Sequence, residues 1–183
     1  MISQVNLAPT ALQTTQERDT ERFFRETVGR WSSQRRYYTL PDGDPQEISS
    51  IIEITYLPQG SEPLRHLARL HQLEDETLLS FGSVVSWDAQ ESVTGKKQSK
   101  GETVIGVLGN LLYRDHGFAT SKPVTADYYL PNPHTLCLRT EYNQSVFEEE
   151  IKLVGQQYRT RQTIISRAGE EQMIGQYLEK RLD

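Results

Sequence analysis

From residue 31 onward, long stretches of the chain alternate apolar and polar residues with a period of two, the spacing that turns one face of a strand inward and the other to solvent. Segments 31–40, 47–57 and 78–88 are rich in β-branched and aromatic residues and predict strands, the first two separated by Pro41-Asp42-Gly43-Asp44-Pro45. Further strands are predicted over 102–108, 111–120, 123–130, 135–142, 145–154 and 157–166, with a last one over 173–182 after the turn at Ala168-Gly169. Helical spacing shows in two places. Over 15–28, Phe23, Phe24, Thr27 and Val28 gather on one side, Glu17 and Asp19 sit in the first turn, and Gly29 is placed to end the helix. Over 63–73, Leu64, Leu67, Ala68 and His71 follow the start signal Ser61-Glu62-Pro63. The polar stretch 90–101 predicts an exposed, mobile hairpin loop, and residues 1–14 a flexible N-terminal arm.

Nine or ten short strands with tight links form an antiparallel meander, and a sheet of that size removes its exposed edges by closing on itself. The expected architecture is therefore mainly β: a single antiparallel β-barrel domain over 15–183, with an N-terminal helix across its mouth and one further short helix. Gly29-Arg30-Trp31 places a Gly-x-Trp at the entry to the first strand, an arrangement also used in lipocalins to close one end of the barrel; a helix-ending glycine before a core tryptophan reads the same way.

Composition narrows the partners more than the fold. A net charge of −5 and a pI near 5.5 do not supply the basic field that nucleic-acid binding needs, so no nucleic-acid partner is expected. No apolar run approaches the roughly 18 to 20 residues that span a bilayer, and residues 1–16 lack a basic start followed by an apolar stretch, so a soluble, unexported protein without membrane insertion is expected. Cys137 is the sole cysteine, which excludes an internal disulfide; between Leu136 and Leu138 it reads as packing or as a reactive thiol. His66, His71, His116 and His134 show no metal-ligand spacing, and no phosphate-loop, dinucleotide or serine-hydrolase pattern is present.

The residues with chemistry to offer lie near the C-terminus. Glu149 alternates with Phe147, Ile151 and Leu153 and so points where apolar residues point. A buried carboxylate needs a partner. On the next strand Arg159 and Arg161 share a face, and two guanidinium forks directed into a cavity suit a ligand with two carboxylates. An ion pair, or arginines on a solvated outer face, fits the spacing equally well. Trp87 shares a face with Leu79, Phe81 and Val85, either to stack on a flat conjugated ligand or to fill the core.

The order of segments resembles the CpcS/CpeS family of phycobiliprotein chromophore lyases from about Phe23 to Leu182. The resemblance rests on Phe23-Phe24 with Gly29-Arg30-Trp31-Ser32-Ser33-Gln34-Arg35; Leu111-Leu112-Tyr113-Arg114-Asp115-His116-Gly117-Phe118; Thr140-Glu141-Tyr142; Glu148-Glu149-Glu150-Ile151; Arg159-Thr160-Arg161; and Glu179-Lys180-Arg181-Leu182. It implies a lipocalin-like or fatty-acid-binding-like barrel. It also implies attachment of an open-chain tetrapyrrole of the phycocyanobilin type to a cysteine of a phycobiliprotein apo-subunit, of phycocyanin or allophycocyanin type. The bilin is then a substrate and no prosthetic group is expected.

In that reading Glu149 is the catalytic carboxylate, hydrogen-bonding the pyrrole nitrogens. Arg159 and Arg161 pair with the two propionates and Trp87 flanks the rings. Glu141, Tyr142 and Glu179 match family positions and join the bilin-binding set. The implied compartment is a cyanobacterial cytoplasm or an algal plastid stroma. Glu148-Glu149-Glu150 stands where relatives commonly carry Glu-Glu-Arg, which leaves the bilin and the acceptor subunit open. A non-catalytic carrier of bilins or lipophilic anions and an assembly chaperone are the competing readings, and a homodimer is one of the assemblies the sequence allows.

Overall fold

The computed structural model describes residues 14–91 and 97–183. Ten antiparallel strands follow one another as a meander, each paired with the next, and β10 returns to pair with β1 and close the barrel. The strands are β1 (Gly29–Thr39), β2 (Gln46–Pro58), β3 (Phe81–Glu91), β4 (Lys97–Leu108), β5 (Leu111–Arg114), β6 (Val124–Asn132), β7 (Thr135–Tyr142), β8 (Ser145–Val154), β9 (Tyr158–Arg167) and β10 (Glu170–Arg181); helices α1 (Thr15–Thr27) and α2 (Glu62–Leu70) complete the fold.

Several boundaries move from the sequence expectation. The predicted loop over 90–101 is mostly strand: β3 runs on to Glu91 and β4 starts at Lys97, while residues 92–96 lie outside the described residues. The predicted strand over 111–120 is cut to four residues, because Asp115 to Pro123 turns off as a loop. The arm expected over 1–14 lies outside the described residues except for Thr14, which caps α1. Its hydroxyl accepts from the Glu17 amide at 3.1 Å and the Glu17 carboxylate accepts from the Thr14 amide at 2.8 Å, a reciprocal capping box.

α1 lies across one end of the barrel. Phe23 and Phe24 are buried there, the latter edge-on to Phe81 at 5.4 Å, and Trp31 is fully buried below with its indole N–H donating to the Thr27 carbonyl. The guanidinium groups of Arg159 and Arg181 lie 5.0 and 4.2 Å from the Trp31 ring. Glu17 fastens the helix by a second carboxylate oxygen, which accepts from the Gly109 amide at 2.6 Å and the Ser80 hydroxyl at 3.2 Å. The far end of the barrel is left to the β5–β6 loop.

α2 packs on the outside wall. Gly82 and Gly106 are register partners on β3 and β4, and a Cβ on either would come within 2.8 Å of Leu64 or Leu79. The glycine pair makes the flat spot on which Leu64 and Leu67 seat. Leu79, expected on the face of Trp87, precedes β3 and belongs to this outer cluster instead.

Candidate functional site

A cavity of about 340 Å³ occupies the barrel between α1 and the β5–β6 loop. Its walls are apolar on the β2–β4 and β7 sides, with Ile52, Ile54, Val85, Ile105 and Leu138, and cationic on the β1, β5 and β9 sides, with Arg35, Arg114, Arg159 and Arg161. The alternation of each strand delivers these side chains inward, so a polar residue at an inward position must find its partner inside the barrel.

Glu149 is buried, as its place among apolar residues requires, and it is shared by two arginines: Arg114 donates to one carboxylate oxygen at 2.6 Å and Arg161 to the other at 3.0 Å. Burial alone would raise the pKa of this carboxyl, but the two guanidinium charges outweigh it and hold the pKa at about 2. Burial likewise works against the Arg161 charge, and Glu149 more than offsets it, leaving the Arg161 pKa above the ordinary arginine value. Arg159 forms a second buried pair, with Glu179, which also accepts from Ser33. Here burial prevails and lowers the Arg159 pKa.

Arg35, assigned no site role from the sequence, differs from both. It donates to the Ser50 hydroxyl at 2.6 and 3.2 Å, lies 5.9 Å from the Tyr177 ring, and has no carboxylate within 4.0 Å among the described residues. Four arginines thus meet two buried carboxylates inside the barrel, leaving two positive charges over. Among the described residues the Nε groups of Arg114 and Arg161 have no hydrogen-bond partner, and neither does the hydroxyl of Thr163, the register partner of Glu149. Arg114 and Arg161 line the cavity, where a polar ligand that repositions them would satisfy these unpaired groups, whereas Thr163 does not line it.

The other sequence-chosen residues separate. Trp87 is half-buried on the cavity wall, its ring laid across Gly101, where an added Cβ would come 2.8 Å from Cζ2. Glu149 and Glu179 stand behind their arginines and do not line the cavity themselves. Tyr142 sits beyond it, stacked on Phe147 at 4.8 Å with its hydroxyl accepting from the Ala119 amide at 2.8 Å, so it braces the β5–β6 loop. Glu141 is on the outer face in an exposed ion pair with Arg139 and is not brought to the cavity. Cys137 is half-buried on the outside of β7, between inward-facing Leu136 and Leu138, and burial pushes its thiol pKa up.

The low pKa of Glu149 predicts an acid-sensitive fold. A carboxyl near 4.5 when unfolded and near 2 when folded contributes stability that is complete above about pH 4.5 and is lost as pH falls through 2, a total on the order of 3 kcal/mol. Urea unfolding between pH 5 and pH 2.5 should show a steeper loss for the wild type than for Glu149→Gln. Parallel slopes would contradict the pairing.

Residues 19–182 match the family described as CpeS-like protein, and the chain belongs to that family. It is 58% identical over 171 residues to a Nostoc sp. protein named as a candidate phycocyanobilin lyase, CpcS 2, covering 93% of this chain and 95% of the relative. It is 46% identical over 176 residues to a Picosynechococcus sp. protein named as a candidate chromophore lyase, CpcV, covering 96% and 87%. The fold matches that of the S-type phycobiliprotein lyase CPES from Guillardia theta, with a TM-score of 0.75, 20% identity, and 93% and 98% of the two chains covered.

Proposed function

We propose that this chain is a bilin lyase that holds a phycocyanobilin-type tetrapyrrole in its barrel and joins it through a thioether to a cysteine of a phycobiliprotein apo-subunit, of phycocyanin or allophycocyanin type. The observation that carries this is the charge balance of the cavity: two uncompensated arginine charges on one side, an apolar wall with Trp87 on the other. A bilin has two propionates and a flat conjugated body, and it matches both halves. The compartment that fits is a cyanobacterial cytoplasm or a plastid stroma.

Arg35 and Arg161 are the propionate anchors in this reading. Arg35 has no carboxylate partner among the described residues, and Arg161 exchanges Glu149 for a propionate. Glu149 keeps Arg114 and gains a free lone pair for the pyrrole N–H groups, where its charge stabilises the protonated bilin and makes the ethylidene carbon a better acceptor for a thiolate. Arg159 with Glu179 holds the barrel floor against Trp31. The family relatives' names favour a lyase over a passive carrier.

Absorption titration with phycocyanobilin and with its dimethyl ester tests the charge match. Each lost charged hydrogen bond costs about 1.5–3 kcal/mol, so the ester is expected to bind at least 100-fold more weakly. Equal affinity for acid and ester would remove the propionate anchors.

A further inference from the structure

We propose that His116 is the general base that removes the proton from the acceptor cysteine, a role that rests on the lyase reading above. Arg114 points inward at the end of β5, and His116, two residues on, continues the same side past the strand's end to line the cavity one step nearer its open rim. Its Nδ1 lies 2.9 Å from Asp115 Oδ1, and the same oxygen accepts from the Thr103 hydroxyl of β4 at 2.7 Å. Asp115 sits beside Nδ1 without the alignment of a hydrogen bond; its negative charge favours the proton on Nδ1 and leaves the lone pair on Nε2, the tautomer a general base uses. No described residue hydrogen-bonds to Nε2, and the imidazole side chain is 36% exposed, so an entering side chain can reach it.

The segment that carries the imidazole is braced rather than loose. The Gly117 amide donates to the Thr120 carbonyl at 3.0 Å and the Ala119 amide to the Tyr142 hydroxyl at 2.8 Å. Phe118 stacks on Phe147 at 5.8 Å, and a Cβ at Gly117 would meet both Thr120 and the Tyr142 ring, so the loop lies close on Tyr142. Phe118 lines the cavity and is 45% exposed, which marks this side as the entrance.

The step balances as an addition. Nε2 takes the thiol proton; the sulfur forms a bond to the ethylidene carbon of the bilin, the C=C electron pair moves into ring A, and a proton is returned to the ring carbon. No group leaves and no oxidant is needed. The other charged or titratable side chains on the cavity wall are Arg35, Arg114, Arg159, Arg161, Tyr37 and Tyr177, residue types that do not ordinarily titrate between pH 6 and 9, so a pH profile in that window reads the histidine and the thiol.

The test compares the wild type with His116→Gln, measuring bilin affinity by absorption and thioether formation on apo-phycocyanin β subunit between pH 6.5 and 9.5, with lyase-free rates subtracted. Bilin binding is expected to persist. Transfer by the variant should fall about 100-fold near neutrality, in line with a lost general base, and the deficit should shrink as pH passes about 8.5, where a cysteine ionises unaided. Equal rates at all pH values, or a deficit that stays constant with pH, would overturn the role. Bilin binding without transfer by the wild type would instead remove the lyase reading on which the role rests.

Discussion

Arg35→Gln is expected to weaken phycocyanobilin binding about 10- to 100-fold, the worth of one charged hydrogen bond in a sheltered site, while leaving the fold intact. Arg35 has no carboxylate partner among the described residues, so its removal strands no buried charge. The hydrogen bonds to Ser50, a long one to the Tyr37 hydroxyl at 3.5 Å and the contact with Tyr177 are lost. Adding Arg161→Gln removes the second anchor, and the double variant should lose about 100- to 10,000-fold if the two contributions add. Fluorescence or absorption titration of both variants at one salt concentration reads this directly. An Arg35 variant with wild-type affinity would place the propionates elsewhere in the barrel.

Arg159→Ala should fail in a different way, by losing about 3–5 kcal/mol of stability, because it leaves the fully buried Glu179 without its cation. Ser33 keeps one hydrogen bond to that carboxylate, which cannot replace a charge. The paired replacement Arg159→Met with Glu179→Leu removes both charges and is expected to recover most of the loss. Urea unfolding of the single and paired variants measures the difference. A loss below about 1 kcal/mol in Arg159→Ala would mean that the pair behaves like a solvated one. In the proposed function the two arginines of Arg159-Thr160-Arg161 therefore divide their work: the first supports the barrel floor, the second anchors a propionate.

That division explains what the sequence could and could not disclose. Period-two alternation placed Glu149 on an inward face and put Arg159 and Arg161 on one shared face without saying which, and the bounds of β7 and β8 agree with the structure because tight turns at both ends leave no slack. Partners were harder. The turn that sets Arg167 opposite Glu170 would, with regular pairing, put Arg159 opposite Leu178; the bulge between Glu171 and Met173 shifts the register by one and delivers Glu179. Nothing local in the sequence announces that bulge. Arg114 and Arg35 reach the same cavity from β5 and β1, and their closeness to Glu149 and Tyr177 follows from closure of the barrel, which no single segment encodes. Glu141 shows the converse: it alternates outward between Thr140 and Tyr142, so its own pattern already placed it on the solvated face, beside Arg139.

β5 ends early for a chemical reason. The Asp115 amide makes one more bond to β4, donating to the Val104 carbonyl at 3.2 Å while its carboxylate accepts from Thr103, and beyond it the loop to Pro123 leaves the ladder and closes on Tyr142. A run that still looked half-apolar, through Gly117 and Phe118, was therefore read as strand when its side chains serve the rim of the cavity.

The most direct measurement is incubation of the purified protein with phycocyanobilin and apo-phycocyanin β subunit, followed by denaturing electrophoresis with zinc-enhanced bilin fluorescence, beside a lyase-free control and an acceptor-cysteine variant. A bilin retained on the subunit after denaturation, dependent on the acceptor cysteine and formed faster than in the control, is the predicted result. Tight bilin binding with transfer no faster than the lyase-free control, across phycocyanin and allophycocyanin subunits, would contradict the lyase and leave a carrier.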